Sequence, residues 1–373
     1  MKVATRPGRQ GAGPDQDASS PSAERPRREG ALVLMAVALL LLVGFLQLSP
    51  SLSGRITSEI SNLLSTTERS TTSNSTSPIF SVYSPLIANG AANVSYPAYY
   101  SELARYTLAL INQDRANFSL PPVSLGDSKA GQQHANSMLK YGYFSHYDTQ
   151  GFKPYMRYTL LGGLGAVSEN VAYITWVGKH FTTAATVENS ISTLEHAMVY
   201  NDSLCCSNGH RLNIINPLHN RVSVGFGYND TTLYFVEEFE NHYVNLSFTI
   251  SKSYSVTMAG PVIFPFASVN AIYVTHDPAP VPETAAQLNA GPKEYDPGTL
   301  AGGVLPPCSQ GCTVFASGVT VRAAAWVVNS AQVDISFDLT RFIQAYGAGV
   351  YTVYMVTGAD TSTALTSISV FVS

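Results

Sequence analysis

Residues 208–239 read NGHRLNIINPLHNRVSVGFGYNDTTLYFVEEF. The second half holds two runs of alternating character, Val222 to Tyr228 and Leu233 to Phe239, on either side of Asn229-Asp230-Thr231-Thr232. Alternation with period two sends successive side chains to opposite faces of a strand, so two such runs about an Asn-Asp turn predict a β-hairpin. Upstream the period becomes helical. Glu102 to Asn117 sets Leu103, Tyr106, Leu108, Leu110 and Ile111 largely on one face, and Pro121-Pro122 closes the segment. Asp127 to Tyr141 predicts a second helix, with Asp127 as N-cap and Gly142 as its stop. Thr182 to Tyr200 predicts a third. Helices followed by a hairpin within one region predict an α+β layered domain, spanning residues 96–247.

Beyond Phe248 helical periodicity almost vanishes. Val319-Thr320-Val321, Trp326-Val327-Val328, Val333 to Phe337, Val350 to Val356 and Ser367 to Val372 have strand character, punctuated by Gly and Pro. These predict a separate all-β sandwich over residues 248–373, immunoglobulin-like in architecture. Pro278 to Pro297, rich in Pro and Ala, reads as a long loop inside it.

At the other end, Ala31 to Leu48 reads ALVLMAVALLLLVGFLQL, without a charge. A bilayer-spanning helix needs roughly 17 apolar residues or more. Lys2, Arg6, Arg9, Arg25, Arg27 and Arg28 precede this run and favour a cytoplasmic N-terminus with the bulk outside. A cleaved signal peptide would have an apolar core of about 7–15 residues, so residues 31–49 are expected to be a transmembrane signal anchor; Ser51-Leu52-Ser53-Gly54 is the competing cleavage site. Residues 1–30 are expected to be a disordered cytoplasmic tail and residues 50–95 a Ser/Thr-rich stalk. The N-x-[ST] pattern occurs at Asn74, Asn93, Asn117, Asn201, Asn229 and Asn245, all beyond the apolar run, as glycosylation of an exported chain requires. Charged residues are 12% of the 373, about half the usual globular level. The net charge of −4 does not give the basic footprint of a nucleic-acid partner.

Four polar segments stand out: Gln133-His134-Ala135-Asn136, Tyr143-Phe144-Ser145-His146, Ser168-Glu169-Asn170-Val171, and Asn208 to Ile214. With LINQDRAN at 110–117, they come in an order that resembles the microbial branch of the CAP superfamily (cysteine-rich secretory, antigen 5, pathogenesis-related-1; the SCP-like extracellular domain). The resemblance covers roughly residues 98–242, and the hairpin matches the family's closing strands. It implies an α-β-α sandwich with a cavity lined by two His and two acidic residues. Residue by residue, His146 matches the first His, Glu169 the first acid and His210 the second His. For the second acid, Asp202 and Glu195 stand as candidates, with Asn201 beside the former and Met198 near the position where many members have Trp.

Neutral imidazoles with a carboxylate are good ligands for zinc or a similar divalent metal, so His146, His210 and Glu169 are the candidate metal ligands. With an open position such a site activates water; without metal the same groups can move protons. There is no H-E-x-x-H, no G-x-S-x-G elbow and no Gly-rich phosphate loop. His134 reads as a packing or supporting group, Arg211 and Asn213 as loop-fixing groups, and His196, His219 and His242 as surface residues. Cys308 and Cys312 enclose Ser-Gln-Gly, which a turn can bring within bonding distance. Adjacent Cys205 and Cys206 can form a vicinal disulfide, serve as metal ligands beside His210, or pair with another chain. The expected function is that of an anchored surface binding module whose partners are the membrane and a lipid, cell-surface glycan or protein. The alternative is a metal-assisted, peptidase-like hydrolase. Full-length protein is expected to sediment with membranes; a mature chain beginning after Leu48 would refute the spanning helix.

Overall fold

The computed structural model describes residues 82–83 and 94–373. The tail at 1–30, the apolar run at 31–48, most of the stalk, Asn74 and Asn93 lie outside the described residues; within the span read as stalk, Val82–Tyr83 is instead a strand paired with Val372 and Phe371. Among the described residues no helix is long and apolar enough to cross a membrane. In chain order the first part comprises β1 (Val82–Tyr83), α1 (Tyr100–Asn117), β2 (Ser124–Leu125), α2 (Ala130–Tyr141), α3 (Pro154–Leu160) and β3 (Ala166–Thr175). Then come α4 (Ala184–Tyr200), α5 (Ser203–Cys206), α6 (Gly209–Ile214), β4 (Arg221–Tyr228) and β5 (Thr232–Asn241).

The hairpin expected from the alternating runs is β4–β5, antiparallel, with Val224 opposite Glu237. It forms the middle of a four-stranded sheet in the order β2-β4-β5-β3. On one face lie α1 and α4, whose Leu103, Ile111, Val187, Ile191 and Leu194 pack with Val222, Val224, Phe226, Leu233 and Phe235. Full burial of each such side chain stabilises by roughly 1.5–3 kcal/mol. On the other face, Ala135 and Met138 of α2 pack with Val171, Tyr234 and Val236. The result is a three-layer α-β-α arrangement in which both faces of β5 are covered. α2 sits close to β4 because β4 has glycines where the helix crosses. A Cβ at Gly225 would run into the Gly131 carbonyl, and one at Gly227 into that of Ala135.

Helix starts differ from the sequence reading in one respect. α2 begins at Ala130 behind Lys129, without a side-chain cap. Asp127 instead accepts from Arg221 Nη2 at 3.0 Å. α4 starts behind Thr183, which forms a capping box with Thr186, and Gly142 ends α2 in the left-handed region at φ 70°.

The second part comprises β6 (Ser247–Ile250), β7 (Ser255–Pro261), β8 (Ala271–Asp277), α7 (Ala285–Ala290), β9 (Thr299–Leu305), β10 (Val319–Arg322) and β11 (Ala325–Val328). It ends with β12 (Gln332–Asp338), α8 (Thr340–Tyr346), β13 (Gly349–Val356) and β14 (Ile368–Val372). These strands make a six-stranded sheet, β1-β14-β13-β8-β9-β10, and a four-stranded sheet, β11-β12-β7-β6. Val256, Met258, Ile335 and Phe337 of the smaller sheet share one core with Ile272, Val274, Val304, Tyr351 and Val353 of the larger.

The segment from Pro278 to Pro297 is not a loop held within the sandwich. It leaves β8 and crosses onto α2, carrying α7, which is capped by Thr284. Leu288 is buried among Ala135, Met138, Tyr143 and Val236. We call this segment the strap. Its Pro and Ala composition signals irregular backbone, but the burial of Leu288 reports a contact made only after folding.

The two parts are joined by shared packing as well as by the chain. Tyr155, Met156 and Tyr158 of α3 form one cluster with Val350 of β13 and Phe371 of β14. Ser369 N donates to Thr159 Oγ1 at 3.1 Å. Lys153 Nζ donates to Asp277 Oδ1 and Asp296 Oδ1, each at 2.8 Å, and Tyr155 Oη donates to Asp277 Oδ2 at 2.8 Å. Lys153 and Asp277 are both buried, so removing one partner strands a charge. Gly225→Ala is expected to destabilise the chain by about 1–3 kcal/mol, because α2 must move off the sheet; chemical denaturation with an unchanged m-value checks it.

Candidate functional site

The left-handed turn at Gly142 redirects the chain from α2 into the segment carrying His146. Its Nδ1 lies 2.9 Å from Glu169 Oε1. A carboxylate accepts, so Nδ1 carries a proton, which in the neutral ring puts the lone pair on Nε2. Glu169 Oε2 accepts from Arg157 Nη2 at 2.6 Å. Arg157 also fixes the loop, donating from Nη1 to the His146 and Phe152 carbonyls, each at 2.7 Å. Burial opposes ionisation of Glu169, but Arg157 and the hydrogen bond with His146 outweigh it and hold the carboxyl down at about 2. His134 supports the loop, as expected: its Nε2 donates to the Ser145 carbonyl at 2.8 Å. Burial pushes its pKa down to about 3, so it stays neutral.

Strand parity sends Asn170 to the opposite face from Glu169. Asn170 Nδ2 donates to Glu237 Oε2 at 3.1 Å and to the His210 carbonyl at 3.2 Å. Asn213 Nδ2 donates to Asn170 Oδ1 at 2.9 Å, so α6 is moored to β3. Ser207 and Asn208, both in the left-handed region, turn the backbone from α5 into α6. His210 Nδ1 then lies 2.7 Å from Asp202 Oδ1, and Asp202 Oδ2 accepts from Arg211 N at 3.2 Å. Burial pushes the His210 pKa down and Asp202 opposes that shift.

Of the two candidates for the second acid, the structure puts Asp202 at His210 and Glu195 elsewhere. Glu195 is buried against Glu237 beneath the sheet, and neither Glu195 oxygen has a hydrogen-bond donor. His219 is not a surface residue. It is 4% exposed, its Nδ1 is 2.7 Å from Asn241 Oδ1, and its ring stacks on Phe239. Its position just before β4 buries it. His196 is exposed and His242 half-buried.

His146, Glu169 and His210 line one cavity of about 500 Å³. The sandwich contributes Tyr354 and the strap contributes Tyr295 to the same walls. Tyr295 Oη accepts from Glu169 N at 3.0 Å, and its ring centroid is 4.9 Å from that of His146. Nothing local in the sequence marks Tyr295, which lies 126 residues from its partner.

Asp202, Cys206 and His210 place ligand-type atoms within 4.8 Å of one another. Cys206, however, is disulfide-bonded, and a metal would need its thiolate. The side chain of Cys205 lies outside the described residues. Cys308 and Cys312 are joined as expected, with Cα atoms 5.8 Å apart. The sequon residues Asn117, Asn201, Asn229 and Asn245 are all exposed.

Residues 108–243 match the family model described as "CAP: Cysteine-rich secretory protein family". Among solved structures, the CAP domain of Enterococcal PrgA is similar at 18% identity over 39% of this chain, with a TM-score of 0.28. The match spans 63% of that chain, less than two thirds of it. A second, NaASP2 with Zn2+, is similar at 13% identity over 39% of this chain and 83% of that one, with a TM-score of 0.24. No curated protein matches.

The Glu195–Glu237 pair gives the molecule a pH dependence. Burial raises both carboxyls; Glu237 raises Glu195 further, whereas Glu195 and Asn170 pull Glu237 part of the way back, leaving it at about 7. A folded pKa above the unfolded value means that the folded state holds the proton more tightly. This contribution is therefore complete below about pH 4 and is lost as pH rises through 7. Glu195→Gln is expected to remove much of that loss, gaining on the order of 1–3 kcal/mol over wild type between pH 5 and pH 8. Thermal midpoints of both proteins across that range provide the check.

Proposed function

We propose, on the premise that residues 108–243 are a CAP domain, that this protein is an outward-facing binding module whose cavity holds a divalent cation such as zinc at His146 and His210. The observation that carries the reading is the matched pair of carboxylate-held imidazoles. Each His has Nδ1 on a buried acid, Glu169 or Asp202, and each lines the same cavity. Among the described residues neither Nε2 has a hydrogen-bond partner. A carboxylate on one ring nitrogen fixes the tautomer and raises the basicity of the other, the usual support of a metal-ligating His.

The donor set fits an open site rather than a closed structural one. Glu169 is engaged by Arg157 and His146, and the Cys206 sulfur by its disulfide. Two imidazoles therefore remain as the ligands, with other positions left to solvent or a bound molecule. A metal so bound would supply Lewis acidity. The chain itself orients both rings, excludes bulk water from Glu169 and keeps that carboxylate ionised.

In this reading the apolar run at 31–48 anchors the chain, the stalk holds it away from the membrane, and the exposed sequons carry glycans. The sandwich, immunoglobulin-like in its layering, presents loops to a lipid, glycan or protein. A peptidase-like hydrolase is the competing reading. Zinc titration calorimetry on the full chain is expected to show one site, weakened at least about 100-fold in His146→Ala, His210→Ala. Equal zinc uptake by the double variant would refute the ligand assignment. Peptide or ester turnover lost with those two residues would replace binding by hydrolysis as the function.

A further inference from the structure

We propose that Tyr295, brought by the strap from the C-terminal part, is a ligand-binding residue of this cavity, donating its phenolic proton to an oxygen of a bound carboxylate. The proposal rests on the cavity being a binding site, as argued above, and names the chemistry of what it binds.

The first support is hydrogen-bond inventory. A phenol offers one donor and two acceptor positions. Glu169 N takes one acceptor position of Tyr295 at 3.0 Å. Among the described residues the Tyr295 proton has no acceptor. An ordinary phenol keeps its proton through the physiological range, so the hydroxyl remains a donor. A half-buried, oriented donor in a cavity wall, without a protein acceptor, is satisfied by water or by a ligand oxygen.

The second support is place. The Tyr295 ring packs against His146 at 4.9 Å and against Tyr155 at 6.4 Å between centroids. Tyr295 therefore stands beside the His146 imidazole, in the wall of the cavity that His210 also lines. A carboxylate has two oxygens. One can approach a cation held at the imidazoles while the other accepts from Tyr295, or Tyr295 alone can hold it in the metal-free protein.

The third support is that the strap is built to hold this side chain still. On one side of Tyr295, Asn289 Oδ1 accepts from Phe144 N at 2.9 Å and Asn289 Nδ2 donates to the Gly142 carbonyl at 3.1 Å. Lys293 Nζ donates to the Phe144 carbonyl at 2.9 Å. On the other side, Asp296 accepts from the buried Lys153. Room for a larger molecule lies next door. A second cleft of about 700 Å³, walled by Tyr273 and Phe315, shares Pro297 and Thr361 with the first. The acid group of an extended molecule can sit at Tyr295 while its body lies along that cleft.

Acetate is the probe. Its affinity for the full chain is measured by NMR titration, with the protein zinc-loaded and again after chelation, in wild type, Tyr295→Phe and Asn289→Ala. Tyr295→Phe keeps the ring and the packing. It is expected to weaken acetate roughly 10- to 100-fold, the effect of one hydrogen bond to a charged group, with zinc affinity unchanged. Asn289→Ala loosens the strap but keeps the hydroxyl, so it is expected to weaken acetate less. Equal acetate affinity in Tyr295→Phe and wild type overturns the proposal. So does a loss in Asn289→Ala as large as that in Tyr295→Phe, or no saturation by acetate below about 100 mM in either state of the wild type. If wild type takes no zinc yet Tyr295→Phe still weakens acetate, the cation reading falls and this one stands.

Discussion

Glu169 is the group on which the arrangement depends. Its carboxylate has no access to bulk water. It is ionised only because Arg157 meets one oxygen at 2.6 Å and His146 the other at 2.9 Å. Burying that charge without partners would be prohibitive. The same contacts fix everything around it. Arg157 comes from α3 and ties down the His146 loop through two carbonyls. The Glu169 backbone N–H reaches the strap through Tyr295. One residue on a central strand thus connects a helix, a loop and a distant part of the chain.

The neighbouring strand poses the same problem several times over. β5 carries Glu237, Glu238 and Glu240, all buried. Parity sends Glu237 towards α4 and Glu195, and Glu238 and Glu240 towards α2 and α3. Glu240 is satisfied by Ser223 Oγ at 2.6 Å and Tyr158 Oη at 2.9 Å. Glu237 Oε2 accepts from Asn170 Nδ2 at 3.1 Å, but neither oxygen of Glu195 beside it has a donor. The two solutions differ in consequence. Neutral hydroxyl donors let a carboxyl sit quietly, whereas two buried acids side by side titrate together and respond to pH. These groups occupy the sheet that bears the cavity, so its rigidity and its titration have a common origin.

How legible was this in the sequence? Local features read well. The β4–β5 hairpin, three of the helices, the Gly142 stop and the Cys308–Cys312 bridge follow from period, turn chemistry and spacing, which act over a few residues. The order of His146, Glu169 and His210 placed them around one hollow through resemblance to the CAP family. Choosing between Asp202 and Glu195 was beyond it. Both precede His210 on nearby backbone, and only the left-handed pair at Ser207 and Asn208 decides which one meets the ring. His219 was misplaced because a lone His has no pattern to betray its burial.

The amino-acid order by itself determined the elements and the identity of the polar groups, since helix period, strand alternation and capping are settled by near neighbours. Tertiary structure alone decided the partners: Arg157 for Glu169, Glu237 for Glu195, Tyr295 for the cavity. Those pairings join residues between 12 and 126 positions apart, and at such separations the chain's own covalent geometry imposes nothing. Packing does, once the sheet is covered on both faces and every buried charge must find a donor or a proton.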